Sequence, residues 1–182
     1  MNPSSANIRT FITRFRQASL AKKGVLGLAC WFGFGLVPWA SGTLGTVAAL
    51  PLVFLFAHAG PWPALILVAA ALLFAIWIAD QAQKVLAQDD PREIVIDEVA
   101  GLLVSLLWIP LSFFNVLSGL VLFRLFDIIK PYPIKKIENL PGGFGIVLDD
   151  VLAGIYANVA LRLMILIISK CRLLFFVIPA CF

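Results

Sequence analysis

No acidic residue occurs before Asp80, and the 182-residue chain holds a single histidine, His58. Charge of either sign is scarce: Asp, Glu, Lys and Arg make up 13% of the residues, against 62% for apolar types. Soluble domains carry about a quarter charged residues, so this shortage, with a mean hydropathy of +1.01, excludes an ordinary water-soluble fold. One histidine excludes a phosphatase mechanism built on a histidine nucleophile and a second histidine; His58, among apolar residues, reads as interfacial. The cysteines, Cys30, Cys171 and Cys181, are odd in number and form neither a C-x-x-C nor a metal-ligand spacing. A disulfide framework and a zinc site are therefore not indicated, and the three read as apolar filler. No cysteine opens a C-x5-R loop and no D-x-D opens a soluble α/β domain. The polar N-terminus also lacks the apolar core and small-residue cleavage site of a secretory signal.

What is present points to a membrane. Arg9, Arg14, Arg16, Lys22 and Lys23 precede the first apolar run. Without aromatic-basic interleaving or a reader motif, nucleic acid is not the expected partner; positive-inside bias and anionic headgroups account for the arm better. Ile8, Phe11, Ile12 and Phe15 fall at helical spacing, as in an amphipathic helix lying on a membrane surface. Residues 25–37 are apolar but short and glycine-broken, a buried or re-entrant segment rather than a span. Residues 44–59 and 62–79 read as a helical hairpin, 80–93 as a polar loop, and 94–114 and 116–129 as a second helix pair. Residues 151–168 are the last convincing span, with a short apolar tail after Lys170 and Arg172. The expected fold is all-α, a compact helical integral membrane protein with several short transmembrane or re-entrant helices. With the basic arm in the cytoplasm, the polar segments at 41–46, 80–98 and 130–150 share the cytoplasmic side. Lys170 and Arg172 then fall outside, against the positive-inside rule.

The ionisable groups concentrate at the ends of these runs, where they are costly to desolvate and need partners, ions or a task. I-V-I-D-E-V-A-G (94–101) resembles I-V-L-D-D-V-L-A-G (146–154). Each acidic pair, Asp97-Glu98 and Asp149-Asp150, precedes a small dipeptide one turn on, which leaves a notch for close approach of a helix or ligand. One such pair alone is explained by a helix N-terminus, which favours acids. Two pairs with Asp127 on one membrane face would repel unless a cation sat among them, and oxygen ligands suit Mg²⁺ or Mn²⁺. Arg124, Asp127 and Lys130 fall at i, i+3 and i+6. Lys130, biased out of the helix by Pro131, should run extended and reach either a phosphate oxygen or Asp127. S-G-T-L-G-T, comprising Ser41, Gly42, Thr43, Leu44, Gly45 and Thr46, and P-G-G-F-G (141–145) are glycine-rich turns. Their amides can cradle an anion, or they serve as turns alone. Asp150, Gly154, Asn158 and Arg162 form a polar stripe that either lines a cavity or clamps a neighbouring helix.

Four blocks in order carry a family resemblance: 33–46, I-D-E-V-A-G (96–101), F-R-L-F-D-I-I-K-P-Y-P-I (123–134) and G-G-F-G-I-V-L-D-D-V-L-A-G (142–154). Over about residues 25 to 168 the chain resembles the bacterial phosphatidylglycerophosphatase A family, with Phe34 and Ser41 departing from its pattern. The expected domains are a basic amphipathic arm at 1–24 and an apolar tail at 170–182, both outside the resemblance, and between them a catalytic membrane domain at 25–169 that carries it. The resemblance implies an inner-membrane, Mg²⁺-dependent lipid phosphatase acting on phosphatidylglycerophosphate at the cytoplasmic face. Asp97, Glu98, Asp149 and Asp150 would hold the metal, and Asp127 would be a further ligand or orient the attacking water. Arg124 and Lys130 would hold the phosphate, with the amides of Ser41 to Thr46. The rivals are a divalent-cation transporter, which needs acids at mid-membrane depth, and a CDP-alcohol phosphotransferase, whose D-G-x2-A-R pattern is absent.

Overall fold

The computed structural model describes the backbone of residues 3–89 and 91–177 and the side chains of 8–89 and 91–171. Asp90, Cys181 and the end of the apolar tail lie outside the described residues, as does the side chain of Arg172. The described chain is all-α: α1 (Pro3–Gln17), α2 (Leu20–Ala29), α3 (Ser41–Ala48), α4 (Leu50–His58), α5 (Pro61–Leu86), α6 (Ile96–Ser105), α7 (Phe113–Ile129), α8 (Ile134–Ile137) and α9 (Gly143–Val177). A 3₁₀ turn over Trp31–Leu36 joins α2 to α3. Three stretches are long and apolar enough to cross a membrane: Ser41–His58, Pro61–Leu86 and Gly143–Cys171. Their outward side chains, among them Leu55, Ile66, Leu73, Leu163 and Ile167, stay exposed, and α7 adds Val121 and Ile128. An apolar surface this extensive fits lipid rather than water.

α9 runs through the middle, with α5, α6 and α7 against it. One buried cluster joins Leu26, Ile78, Ala82, Ile96 and Val147; the other joins Leu102, Phe123, Ala157 and Leu161. The small dipeptides do what their spacing predicts, and the approaching partner is a helix. A Cβ on Gly154 would lie 2.4 Å from the Gly101 carbonyl oxygen, and one on Gly101 would lie 2.8 Å from that of Asp150. The backbones of α6 and α9 thus touch one turn beyond each acidic pair.

Several boundaries differ from the sequence reading. The α1 stripe docks on the protein through Phe11, which is buried, and Phe15, while Ile12 stays exposed. α5 continues through the expected polar loop to Leu86; Lys84 pairs with Asp80 one turn back, and left-handed Ala87 ends the helix. The run at 94–114 is helical only to Ser105. Asn158 Nδ2 reaches the carbonyl oxygens of Val104, Ser105 and Leu107 at 3.0–3.2 Å, and Arg162 Nη2 reaches that of Leu107 at 3.1 Å. Asn158 and Arg162 of the polar stripe on α9 therefore clamp the open carbonyls at and just past the end of α6, and the same two side chains line a cavity with Val104 and Trp108. α9 begins at Gly143, so Asp149 and Asp150 lie within the helix rather than ahead of it.

Candidate active site

The α3 N-terminus, the α6 N-terminus, the α7 C-terminus and the first turns of α9 meet at one end of the bundle. A Cβ on Gly42 would lie 2.3 Å from Glu98 Oε1 and 2.8 Å from Arg124 Nη2, so glycine lets α3 approach this pair without displacing it. The Thr46 hydroxyl stands 2.8 Å from Glu98 Oε2 and from the Gly42 carbonyl oxygen. Arg124 Nη1 lies 3.0 Å from Glu98 Oε2 and 3.0 Å from Asp127 Oδ2. That nitrogen is buried, yet neither contact has hydrogen-bond geometry. The two carboxylates balance its charge, and the rest of the guanidinium lines a cavity.

On the other side Lys130 Nζ donates to Asp149 Oδ2 at 2.8 Å and lies 3.1 Å from Glu138 Oε1. Burial works against the ammonium's charge, but these two acids outweigh it and raise its pKa. Lys130 is thus a fixed positive charge, not a proton donor in the working range. Its expected extended course is corrected: Lys130 takes the left-handed conformation (φ 44°, ψ 61°) and ends α7, and the chain turns through Pro131 into α8. Ile134 of α8 is fully buried, and the Tyr156 hydroxyl donates to the Tyr132 carbonyl oxygen at 3.2 Å. Together these pin the turn to the bundle. The partner of Lys130 is therefore Asp149 rather than Asp127, which Arg124 takes instead.

The two acidic pairs share one local geometry. The Glu98 amide donates to Asp97 Oδ1 and the Asp150 amide to Asp149 Oδ1, both at 3.0 Å. Asp97 and Glu98 occupy the first turn of α6, where the helix dipole favours them. The dipole does not explain Asp149 and Asp150, which lie more than a turn inside α9. Asp150 is 4% exposed and feels the charges of Asp97, Asp127 and Asp149. No salt bridge to Asp150 forms among the described residues. All five expected carboxylates are thus brought together. No three of the described acidic, histidine or cysteine side chains stand in a metal-ligating arrangement as they are, and one oxygen each of Glu98, Asp127 and Asp149 faces Arg124 or Lys130.

The 41–46 segment is corrected in form. It is the start of α3, not a loop: the Leu44 amide already bonds to Ala40. The amides of Ser41, Gly42 and Thr43 precede the first intrahelical bonds, as at any helix N-terminus. Gly45 instead packs on Val95, and Thr46 holds Glu98 through its hydroxyl. The second glycine-rich turn serves close packing, since a Cβ on Gly143 would lie 2.1 Å from the Ile76 carbonyl oxygen. His58 bonds its own helix at Phe54 and lies at the far end, and Cys30 is core. A cavity of about 300 Å³ opens beside Arg124, lined by Ser41, Gly42, Thr43, Arg92 and Glu93 among others. Arg92 and Glu93 had read as solvated loop. The lone basic-acidic step before I-V-I-D-E was the only signal, and it did not single them out.

A family model described as phosphatidylglycerophosphatase A matches residues 27–165. The chain belongs to the phosphatidylglycerophosphatase A family. All four sequence blocks lie in the matched stretch, and most of α1 and α2 precedes it. Within the family, the Escherichia coli phosphatidylglycerophosphatase A is 36% identical over 131 residues, covering 70% of this chain and 76% of the relative. The Haemophilus influenzae phosphatidylglycerophosphatase A is 41% identical over 133 residues, covering 71% and 82%. A Bacteroides thetaiotaomicron protein, provisionally named a phosphatidylinositol-3-phosphatase, is 39% identical over 138 residues, covering 69% and 84%. No solved structure matches.

Proposed function

We propose that this protein is a lipid phosphatase that hydrolyses the terminal phosphate monoester of phosphatidylglycerophosphate, giving phosphatidylglycerol and inorganic phosphate. The observation that carries this is the convergence of Asp97, Glu98, Asp127, Asp149 and Asp150 with Arg124 and Lys130 at one end of an apolar bundle, in a chain whose relatives are named as lipid phosphatases. Acids gathered at one end, rather than along a path between helices, favour an enzyme over a cation transporter.

A divalent cation of the Mg²⁺ kind belongs to this reading. The donor set is all oxygen, as such a cation requires. Asp150 is buried, has no salt bridge among the described residues and feels the charges of Asp97, Asp127 and Asp149, which repel it unless a cation lies among them. Asp97, Glu98, Asp149 and Asp150 would hold it. When bound, Mg²⁺ supplies polarisation of a phosphoryl oxygen and a lowered pKa of bound water.

The chain's own groups do the rest. Arg124, whose side chain is a quarter exposed and lines the cavity, offers its guanidinium to a phosphate oxygen in a charge-assisted contact. The amides of Ser41, Gly42 and Thr43 face the same anion from the α3 N-terminus. Lys130 holds Asp149 in place through a fixed charge. Asp127, positioned by Arg124, orients the attacking water. The water oxygen forms the new P–O bond as the ester P–O bond breaks, and the departing glycerol oxygen takes up a proton.

The site faces the cytoplasm of the inner membrane in this proposal, supported by the basic residues of α1 and α2. Phosphate release by the purified protein from phosphatidylglycerophosphate and from phosphatidylinositol 3-phosphate tests the substrate. Faster turnover of the first supports the proposal. Turnover of the second alone replaces it with the activity named for the Bacteroides relative.

A further inference from the structure

Resting on that reading, we infer that Arg92 and Glu93 form a headgroup subsite, in which Arg92 binds the inner phosphodiester of the substrate and Glu93 accepts a hydrogen bond from the headgroup hydroxyl. The cavity beside Arg124 is about 300 Å³, at the small end of ligand pockets. Arg124 ends it on the carboxylate side, where the reacting monoester lies. Arg92 and Glu93 line it from the segment between α5 and α6.

That segment is fixed rather than loosely solvated. The Val95 amide donates to the Ala29 carbonyl oxygen at 2.9 Å, and the Ile94 amide to that of Pro91. A Cβ on Gly35 would lie 2.2 Å from the Glu93 carbonyl oxygen, so the segment is pressed against the turn after α2. Yet neither side chain has a hydrogen-bond or ion-pair partner among the described residues. Arg92 is exposed at the rim, whereas Glu93 is only 5% exposed. The Glu93 side chain is otherwise packed in, and its unpartnered carboxylate is left to the cavity it lines, which also holds two guanidinium groups. A guanidinium suits a phosphodiester, and a carboxylate, which only accepts, suits a hydroxyl. Phosphatidylglycerophosphate carries both groups between its lipid and its terminal phosphate. Other acidic cavities lack this pairing: the one beside Asp149 is lined by Asp89 and Glu138 and repels an anion.

The test uses the purified full-length protein in lipid micelles, with phosphatidylglycerophosphate as substrate and three competitors. Phosphatidylglycerol carries the phosphodiester and hydroxyls without the monoester, inorganic phosphate probes the monoester position, and phosphatidylpropanol keeps the phosphodiester but lacks the hydroxyls. Arg92→Ala should raise the KM and the inhibition constant of phosphatidylglycerol by roughly tenfold or more, the range for a lost charge-assisted contact. The kcat and the inhibition constant of inorganic phosphate should hold, and Arg92→Lys should recover part of the loss. Wild type should prefer phosphatidylglycerol to phosphatidylpropanol, and Glu93→Gln should narrow that preference. An unchanged KM in Arg92→Ala, or an equal weakening of inorganic phosphate, overturns the inference, as does an undiminished preference in Glu93→Gln. Absence of turnover in the wild type overturns the proposed function itself and is seen before any variant is made.

Discussion

Replacing Gly154 with alanine places a methyl group against backbone. Its Cβ would lie 2.4 Å from the Gly101 carbonyl oxygen, where ordinary contact starts at 3.4 Å. No flexible side chain can turn aside, so α6 and α9 must part by about 1 Å at this level. Alanine gains up to ~1 kcal/mol in helix propensity over glycine, while overpacking costs ~1–3 kcal/mol. A net loss of ~1–2 kcal/mol is expected from the two. The catalytic effect should be larger. Asp150 lies one turn before Gly154 and Asp97 one turn before Gly101, so the separation shifts one acidic pair against the other. A displacement of about 1 Å in a reacting constellation costs on the order of a hundredfold in rate. The assay is kcat for phosphate release together with thermal unfolding in detergent. Gly27→Ala is the control, because a Cβ there meets nothing within 4 Å. A Gly154→Ala protein with kcat and unfolding temperature like those of Gly27→Ala would refute the claim that this contact sets the spacing of the two pairs.

Three further outcomes follow from particular contacts. Asn158→Leu leaves carbonyls of Val104 and Ser105 without their donor, so the unfolding temperature should drop by the equivalent of ~1–3 kcal/mol, with kcat per folded molecule near wild type because the clamp lies away from the acids. Lys130→Ala removes the cation beside Asp149 and should lower kcat at least ~10-fold, with partial recovery in Lys130→Arg; kcat within twofold of wild type would remove Lys130 from the site. Cysteine introduced at position 89, in a protein without its native cysteines, should be labelled from the cytoplasmic side, and labelling from the periplasm alone would reverse the proposed orientation.

The acidic pairs and their small neighbours were legible because helix periodicity is local: three or four residues define a face, and charge in an apolar chain stands out. The same locality explains the misses. The carbonyls at and just past the end of α6 are met by Asn158 and Arg162, more than fifty residues away, and nothing between 94 and 105 announces that end. The form of 41–46 was misread because its glycines resemble a turn. They are small for another reason, the approach of Glu98, Arg124 and Val95. Lys130 was placed correctly at a helix end, but Pro131 restricts the preceding residue without choosing between extended and left-handed backbone. Asp127 pairs with Arg124 one turn back on α7, and Lys130, past the helix end, pairs with Asp149 of α9. Arg92 and Glu93 do not stand out in the sequence, because a charged loop in a membrane protein is ordinarily solvated; here the contact at Gly35 and the Val95–Ala29 hydrogen bond hold the segment, with Glu93 packed in and Arg92 at the rim.

The most direct measurement is phosphate release from phosphatidylglycerophosphate by the purified protein, with Mg²⁺ and in excess EDTA, for wild type and for Asp150→Asn. The carboxylate site predicts turnover in the wild type that stops in EDTA and returns when Mg²⁺ is added back. It also predicts an Asp150→Asn protein that folds but is inactive in both conditions. Full wild-type turnover in EDTA, or an active Asp150→Asn protein, would contradict it.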